Sequence, residues 1–280
     1  MVNIHETGSL AGRFAQWPVL AAAGALEVRL AETDAEVEQA QKLRFHIFYE
    51  EMAAVPSPQM LAERRDFDRF DEVCDHLLVI DRGTMGEDGQ PLVVGTYRIT
   101  RDVDAARAGG FYTAGEFDIS RMLAGHAGER LMELGRSCVL KGYRNRTTTM
   151  QLLWKGLMAY VARFSVDLMF GCASIAGADI DALALPLSYL HHFHPMPPEV
   201  YVRARPELFV DMNRIPKDAI DPKEALRALP PLIKGYVRTG CAIGEGAVID
   251  RQFGTTDVFI YLPVKEMNAR YMSRFGHSET

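Results

Sequence analysis

The chain has 280 residues, of which 48% are hydrophobic and 24% are charged, as is typical of a folded globular protein with one large domain or two small ones. Its formal net charge of −6 argues against nucleic acid as a partner, because no overall basic field would attract phosphates. The four cysteines form no CxxC pair, so their spacing predicts reduced thiols, with no metal site and no disulfide framework.

Residues 1–25 are expected to form an N-terminal arm outside the core. The apolar stretch 17–26 is a poor match to a signal peptide, since Pro18 interrupts it and only one lysine or arginine, Arg13, precedes it. The sequence has no run of about 18 apolar residues, so no membrane-spanning helix is expected. We therefore expect a cytoplasmic protein whose arm packs on the domain or makes loose, peripheral contact with the surface of the inner membrane.

Residues 26–194 alternate between strand and helix patterns. The apolar residues of 26–30 alternate with charged ones, as in a half-buried strand. Thr33 and Glu36 form a capping box, so a helix is expected from there to about residue 51. Further strands are expected at 77–80, 92–99, 131–139 and 168–175, and further helices at 149–164 and 179–189. This order predicts an α/β fold with a mixed sheet flanked by helices, not a doubly wound one.

Residues 195–280 are expected to be a C-terminal α/β extension of the same domain. The prolines of Pro195–Pro198 mark a break before it. Within the extension, a strand is expected at 200–204, a helical stretch at 222–237 and a strand at 258–262. The glycines of the stretch 240–246 favour a turn.

Charge is distributed unevenly along the chain. Residues 32–75 contain twelve Asp or Glu, whereas residues 134–166 contain none and hold six Lys or Arg. The basic run crosses a predicted strand-to-helix turn, where free N–H groups and the helix dipole favour phosphate. Arg144 and Arg146 are therefore candidates to bind a phosphate group, and the alternative is a solvated basic face.

Single charged residues also lie beside the predicted strands: Asp68, Asp71, Arg98, Glu133 and Arg136. The last two interrupt an apolar stretch, where an unpaired charge is costly. On a flat strand, residues three apart face opposite sides. A bulge near Gly135 would bring both side chains to one side, and bulges are common beside active sites.

The layout of these charges resembles that of the acyl-homoserine lactone synthases, which have the GNAT fold. The matching residues are Arg44 and Phe48, Asp68 and Asp71, Arg98, and Glu133 and Arg136. A closer resemblance, over nearly the whole chain, is to the ornithine N-acyltransferases of ornithine-lipid synthesis. Its blocks occur in the same order at 133–139, 152–156, 170–174, 230–235, 250–253 and 270–276.

The resemblance implies a GNAT-like fold and an enzyme that moves a 3-hydroxyacyl group from acyl carrier protein to the α-amine of L-ornithine, giving lyso-ornithine lipid. It implies no cofactor of its own, because phosphopantetheine arrives on the donor. The stretch 144–149 departs from the glycine-rich turn with which GNAT enzymes grip the pyrophosphate of coenzyme A. That departure fits a carrier protein, whose phosphopantetheine has a single phosphate.

Aminolysis of a thioester requires the acceptor amine to lose a proton, so a nearby carboxylate is useful. Glu133 is the candidate base, with Arg136 as its catalytic neighbour. Backbone N–H groups near Cys138 and Val139 are candidates to stabilise the negative charge on the thioester oxygen. An acyl-cysteine intermediate on Cys138 is the alternative, but direct transfer is preferred.

The acceptor has a carboxylate and a second amine. Arg98 or Arg136 could pair with the carboxylate, since a guanidinium fork suits it. Asp68 or Asp71 could hold the side-chain ammonium. The alternative is that, as in the lactone synthases, the same positions stabilise the acceptor loop. Arg44 and Phe48 are further candidates to bind substrate.

Two other functions stay open at this stage. One is a related acyltransferase with another acceptor, such as an acyl-homoserine lactone synthase or another N-acyl amino acid synthase. The other is a haemolysin-like protein that binds membranes, which would require a membrane-seeking amphipathic segment.

Overall fold

A computed structural model describes residues 19–144 and 147–267. Most of the predicted arm, Arg146 and the block at 270–276 therefore lie outside the described residues. Within the described ranges, no helix is long and apolar enough to cross a bilayer.

The described residues form eleven strands and nine α-helices. The strands are β1 (Ala21–Ala23), β2 (Leu26–Leu30), β3 (Asp75–Met85), β4 (Pro91–Arg101), β5 (Phe117–Asp118), β6 (Leu131–Val139), β7 (Leu168–Ala176), β8 (Arg203–Ala204), β9 (Phe209–Val210), β10 (Ala242–Asp250) and β11 (Thr255–Pro263). The helices are α1 (Asp34–Phe45), α2 (Pro58–Glu63), α3 (Asp102–Ala105), α4 (Ser120–Gly125), α5 (Lys141–Arg144), α6 (Thr147–Phe164), α7 (Ala184–Phe193), α8 (Pro222–Ala228) and α9 (Pro231–Thr239). A π-helix (His46–Glu51) continues α1, and 3₁₀ turns lie at Ala106–Ala108, Tyr112–Gly115, Pro198–Val200, Lys217–Ala219 and Val264–Glu266.

The strands form one mixed sheet in the order β1-β2-β3-β4-β6-β7-β11-β10-β8-β5, with β9 paired to β10. Neighbours along this path are antiparallel except for β6–β7 and β10–β8. The predicted α/β fold with a mixed sheet is thus confirmed. Strands β10 and β11, from the predicted C-terminal extension, join the same sheet as the core strands. Residues 21–23, assigned to the arm from the sequence, form the edge strand β1.

A different helix packs on each face of β3. Leu77 and Val79 point to the cluster that contains α6, whereas Leu78 and Ile80 pack with α1, as the two-residue period of a strand requires. Helix α6 lies close to the sheet because it carries Gly156, where a Cβ would stand 2.7 Å from the side chain of Val28. Its apolar residues Leu152, Leu153, Leu157, Tyr160 and Val161 are buried.

Strands β6 and β7 pair only at their beginnings. Leu131–Glu133 pairs with Leu168–Phe170, after which β6 stays with β4 and β7 stays with β11. The two strands therefore diverge, and a gap opens between them. Gly171 lies where the gap begins, and a Cβ there would be 2.3 Å from the backbone oxygen of Leu134.

Two sequence expectations differ from the structure in the C-terminal part. The stretch 222–237 is two helices, because Pro230 and Pro231 cannot continue α8. The glycine-rich stretch 240–246, predicted to be a turn, runs into strand β10, whose pairing with β11 shifts between Ile243 and Ala247. Gly246 adopts φ +77° there, so the glycines mark a bulge inside a strand.

We expect Gly171→Ala to lower the free energy of unfolding by about 1–3 kcal/mol, because the added methyl overlaps a backbone atom that cannot rotate away. Urea denaturation of the purified protein measures this. The matched control is Gly142→Ala in α5, where an added Cβ meets nothing within 4 Å. Equal stability of the two variants would show that β6 and β7 separate without strain at this point.

Candidate active site

A cavity of about 410 Å³ lies in the gap between β6 and β7. Its walls come from β4, β6, β7, the π-helix, α9 and the hairpin of β10 and β11. Apolar lining is supplied on one side by Ile47 and Phe48 of the π-helix and on another by Leu232 and Tyr236 of α9. Single-turn π-helical insertions occur frequently at functional sites.

A β-bulge shapes the β6 wall. Thr96 of β4 lies opposite Cys138 and Arg98 lies opposite Gly135, so β6 has one residue more than β4 in this interval. Arg136 lies in this bulge and has a left-handed backbone conformation, φ +49°, which is uncommon for a residue other than glycine. The bulge expected near Gly135 is confirmed, and both Glu133 and Arg136 line the cavity.

Glu133 is buried and holds a backbone turn. Its carboxylate accepts hydrogen bonds from the backbone N–H groups of Tyr112, at 3.1 Å, and Thr113, at 2.7 Å. These are the first residues of the 3₁₀ turn Tyr112–Gly115, so Glu133 fixes that turn beside the cavity. Burial raises the pKa of Glu133, although the bonds from Thr113 and Tyr112 oppose the shift. Among the described residues, no ion pair joins Glu133 to Arg136.

Arg136 has other partners. Its Nε lies 3.4 Å from Oδ2 of Asp66, and its Nη2 donates to Asp68 at 3.3 Å. Its guanidinium group lies over the rings of Tyr112 and Phe253, 5.0 and 4.9 Å from their centroids. Contacts of this type fix a cation against aromatic faces.

The side chain of Arg136 belongs to a buried ion network of three arginines and three aspartates. Its members are Arg44, Asp66, Asp68, Asp71, Arg98 and Arg136. Arg44 is fully buried and binds Asp66 at 2.7 Å and Asp71 at 2.8 Å, while Arg98 binds Asp68 at 2.6 Å. Burial opposes ionisation of Asp71, but Arg44 and Arg98 outweigh it and lower its pKa to about 2.

The residues predicted to bind the acceptor fall into two groups, those that line the cavity and those that do not. Phe48, Arg98 and Arg136 line the cavity, whereas Arg44, Asp68 and Asp71 are not among its lining residues. Asp66 was missed from the sequence, although its carboxylate bridges Arg44, Arg136 and the hydroxyl of Tyr49. Acidic residues are frequent in this part of the chain, so nothing in the pattern distinguished Asp66 from its neighbours.

A second group of carboxylates, the acidic cluster, lies on the β7 side of the gap. One oxygen from each of Glu116, Asp250 and Asp257 lies within 4.8 Å of the others, and the two aspartates line the cavity. Burial, reinforced by the neighbouring carboxylates, raises the pKa of Glu116 to about 7 and that of Asp257 to about 6. Among the described residues, no basic side chain forms an ion pair with any of the three.

Sequence reasoning missed the acidic cluster. Asp250 belongs to a block of the family resemblance but received no role, and the three residues come from a loop and from both strands of a hairpin. Such a donor set suits an organic ammonium group or a hard metal cation. The other group of possible ligands, Asp71, Cys74 and His76, is a poorer metal site, because Asp71 binds Arg44 and Arg98.

The residues predicted to bind the donor lie at the end of β6. Cys138, Val139 and Arg144 line the cavity, while Arg146 lies outside the described residues. Arg144 donates to the backbone oxygen of Val139 at 2.7 Å and binds Glu51 at 2.6 Å. Burial raises the pKa of the Cys138 thiol to about 12, which disfavours the thiolate that an acyl-cysteine intermediate would need.

Comparison with known proteins identifies the family. A protein of Rhizobium meliloti (strain 1021) named L-ornithine N(alpha)-acyltransferase is 49% identical over 251 residues, which cover 90% of this chain and 84% of that protein. The chain belongs to the L-ornithine N(alpha)-acyltransferase family. A member with the same name from Brucella abortus (strain 2308) is 49% identical over 258 residues, covering 92% of this chain and 91% of that protein.

The family assignment agrees with a domain match. The profile of the acetyltransferase (GNAT) domain matches residues 43–155. An N-acyl amino acid synthase from uncultured soil microbes superposes with a TM-score of 0.48 at 11% identity, over 89% of this chain and 94% of that chain. The predicted family, the GNAT-like fold and the N-acyltransferase class are confirmed for this chain by the family members and the domain match.

The acidic cluster should make stability depend on pH. Burial raises the pKa of Glu116 and of Asp257 in the folded protein, so the folded state binds their protons more tightly than the unfolded chain does. Their contribution to the free energy of unfolding is therefore fully present below about pH 4 and is lost as the pH rises through 7. We expect Glu116→Gln to raise the free energy of unfolding at pH 8 by about 1–3 kcal/mol and to have little effect at pH 4. Urea titrations at the two pH values measure this, with exposed Glu72→Gln as the control. A variant that loses stability at pH 8 would contradict the assignment.

Proposed function

We propose that the protein transfers a 3-hydroxyacyl group from acyl carrier protein to the α-amine of L-ornithine, giving lyso-ornithine lipid. The observation that carries this proposal is the cavity between β6 and β7, with guanidinium groups on its β6 side and carboxylates on its β7 side. A diamino acid has the complementary charges. The names of the family members, which specify L-ornithine, support the same acceptor.

The two sides of the cavity suggest how ornithine would bind. Arg98 and Arg136 are placed for the α-carboxylate, as a guanidinium group binds a carboxylate well. The acidic cluster is placed for the side-chain ammonium, since Asp250 and Asp257 line the cavity and, among the described residues, no basic side chain forms an ion pair with either. Asp68 and Asp71 suit this role less well, because arginines already occupy their carboxylates. In our proposal they position Arg98 and Arg136.

The transfer step forms a C–N bond and breaks the C–S bond of the thioester. Glu133 takes one proton from the α-ammonium group, which leaves a free amine to attack, and later releases that proton to solvent. After attack the nitrogen loses a second proton, which the leaving thiolate takes up as the C–S bond breaks. Both oxygens of Glu133 accept a backbone N–H, but a carboxylate oxygen has a further lone pair to offer. Backbone N–H groups of the bulged strand near Cys138 and Val139 would stabilise the charge on the carbonyl oxygen.

A carrier protein is the donor that this surface favours. Arg144 lines the cavity, and its side chain is 39% exposed, so it can reach a phosphate outside the cavity. The basic run at 134–166 would attract an acidic carrier. The product is an amphiphile, so we further propose that the protein acts in the cytoplasm at the surface of the inner membrane.

The acceptor assignment predicts a switch in selectivity. Asp250→Asn and Asp257→Asn should each lower kcat/KM for ornithine by about 10- to 100-fold, the value of a hydrogen bond to a charged group. Norvaline has the same chain without the side-chain amine, so its kcat/KM should not change. Exposed Asp218→Asn is the control, and product masses identify the acceptor. An equal loss of kcat/KM for ornithine and norvaline would show that the acidic cluster does not recognise the side-chain amine.

The base assignment predicts a defect in turnover. Glu133→Gln should lower kcat by ~10²–10⁴-fold, and the loss should shrink at high pH, where free amine exists without help. Because Glu133 also holds the 3₁₀ turn, the unfolding free energy is measured in parallel. Arg136→Lys tests whether Arg136 acts only through the buried ion network, in which case melting temperature would change more than turnover. Wild-type kcat at neutral pH in Glu133→Gln would exclude this base.

The donor assignment predicts a defect specific to the carrier. Arg144→Glu should raise KM for the acyl carrier protein while leaving KM for ornithine unchanged, with the larger effect at low ionic strength, where charge steering acts further. Lys223→Glu, an exposed charge reversal elsewhere, is the control. An unchanged carrier KM, or turnover with acyl-coenzyme A at the same efficiency, would count against a carrier donor.

A further inference from the structure

An uncharged stretch of the chain, residues 52–62, begins at the wall of the cavity. It contains no Asp, Glu, Lys or Arg, although such residues make up 24% of the chain. Three of its large apolar side chains are exposed, Met52 by 44%, Val55 by 66% and Leu61 by 59%. Helix α2, which begins in this stretch and ends at Glu63, has no buried residue. We call residues 52–62 the apolar segment.

The concentration of exposed apolar side chains is local. Seven large hydrophobic residues are exposed in the described part of the chain, and three of them lie in the apolar segment. Single exposed apolar residues are ordinary on protein surfaces, but three within ten residues of the chain, with no charge between them, favour an interaction surface.

The apolar segment is held in place by bonds to the rest of the site. The N–H of Ala54 donates to the backbone oxygen of Phe48 at 2.9 Å, and that of Val55 donates to Gln252 at 2.8 Å. Ser57 caps α2 by accepting from the N–H of Met60 at 3.1 Å. The exposed side chains are therefore presented by a fixed backbone and do not belong to a loose connection.

The charges that border the apolar segment are neutralised within the protein. Glu50 pairs with Arg64, Glu51 with Arg144 and Glu63 with Arg65. A low-dielectric phase could therefore approach the segment without removing an unpaired charge from water. The segment itself offers no charge that would bind a charged partner. This balance of charge favours a lipid bilayer as the occupant.

We propose that the apolar segment is the surface by which the protein enters the interfacial region of a lipid bilayer. This inference rests on the proposed function, because only an acylated amino acid gives the enzyme an amphiphilic product to deliver. Met52 lines the cavity and is also part of the exposed surface. The segment thus joins the apolar wall of the cavity to the bilayer, where a fatty acyl chain would be released.

The test measures vesicle binding by flotation of the full chain with vesicles of phosphatidylcholine alone and vesicles that also contain phosphatidylglycerol. Val55→Asp and Leu61→Asp should each lower partitioning by about tenfold or more, the loss expected for one buried apolar side chain. Val103→Asp and Met85→Asp are matched controls, because these side chains are 63% and 65% exposed but lie outside the segment. Binding to uncharged vesicles should persist, since apolar contact drives it.

Two further measurements make the outcomes distinct. Acyl-ornithine formation from soluble substrates should survive in Val55→Asp and Leu61→Asp, and sedimentation velocity should show the same mass for all variants. Wild-type vesicle binding in both variants, or a change of oligomeric state in place of a binding defect, would overturn the inference. A wild-type protein that binds vesicles through this segment but makes no acyl-ornithine would instead refute the proposed function.

Discussion

The divergence of β6 from β7 is the constraint on which the rest of the site depends. Each strand keeps a hydrogen-bonded partner on its outer edge, β4 or β11, so the sheet survives while its centre opens. The inner edges of the two strands are then free to present backbone groups to a ligand. All of the candidate chemistry is arranged around this opening, with Glu133 at the last paired position and the cavity beyond it.

The buried ion network gives one side of that opening its fixed geometry. Its three arginines and three aspartates balance in charge, which limits the cost of burying them, but removing one member leaves an uncompensated charge. Asp66, Asp68 and Asp71 come from one loop, and Arg98 and Arg136 come from neighbouring strands. The network therefore ties a loop to the sheet and sets the direction in which Arg98 and Arg136 face the cavity.

Sequence patterns predicted the structural features that depend on residues close together in the chain. The capping box at Thr33 fixes the start of α1, and the charges of Glu133 and Arg136 inside an apolar strand indicated the bulge. The acidic cluster could not be found in this way, because its members meet only when β11 packs beside β7. The sequence also failed to predict strand β10 through Gly246, because a glycine is as compatible with a bulge inside a strand as with a turn.

The acidic cluster also couples the binding of a cation to proton exchange. Glu116 and Asp257 still hold part of their protons near neutrality, because burial and mutual repulsion disfavour three bare carboxylates. A cation that enters the cluster removes that repulsion and displaces those protons into solution. Its apparent affinity therefore rises with pH until the free cluster is fully ionised, and the heat of binding depends on the ionisation enthalpy of the buffer that takes up the protons.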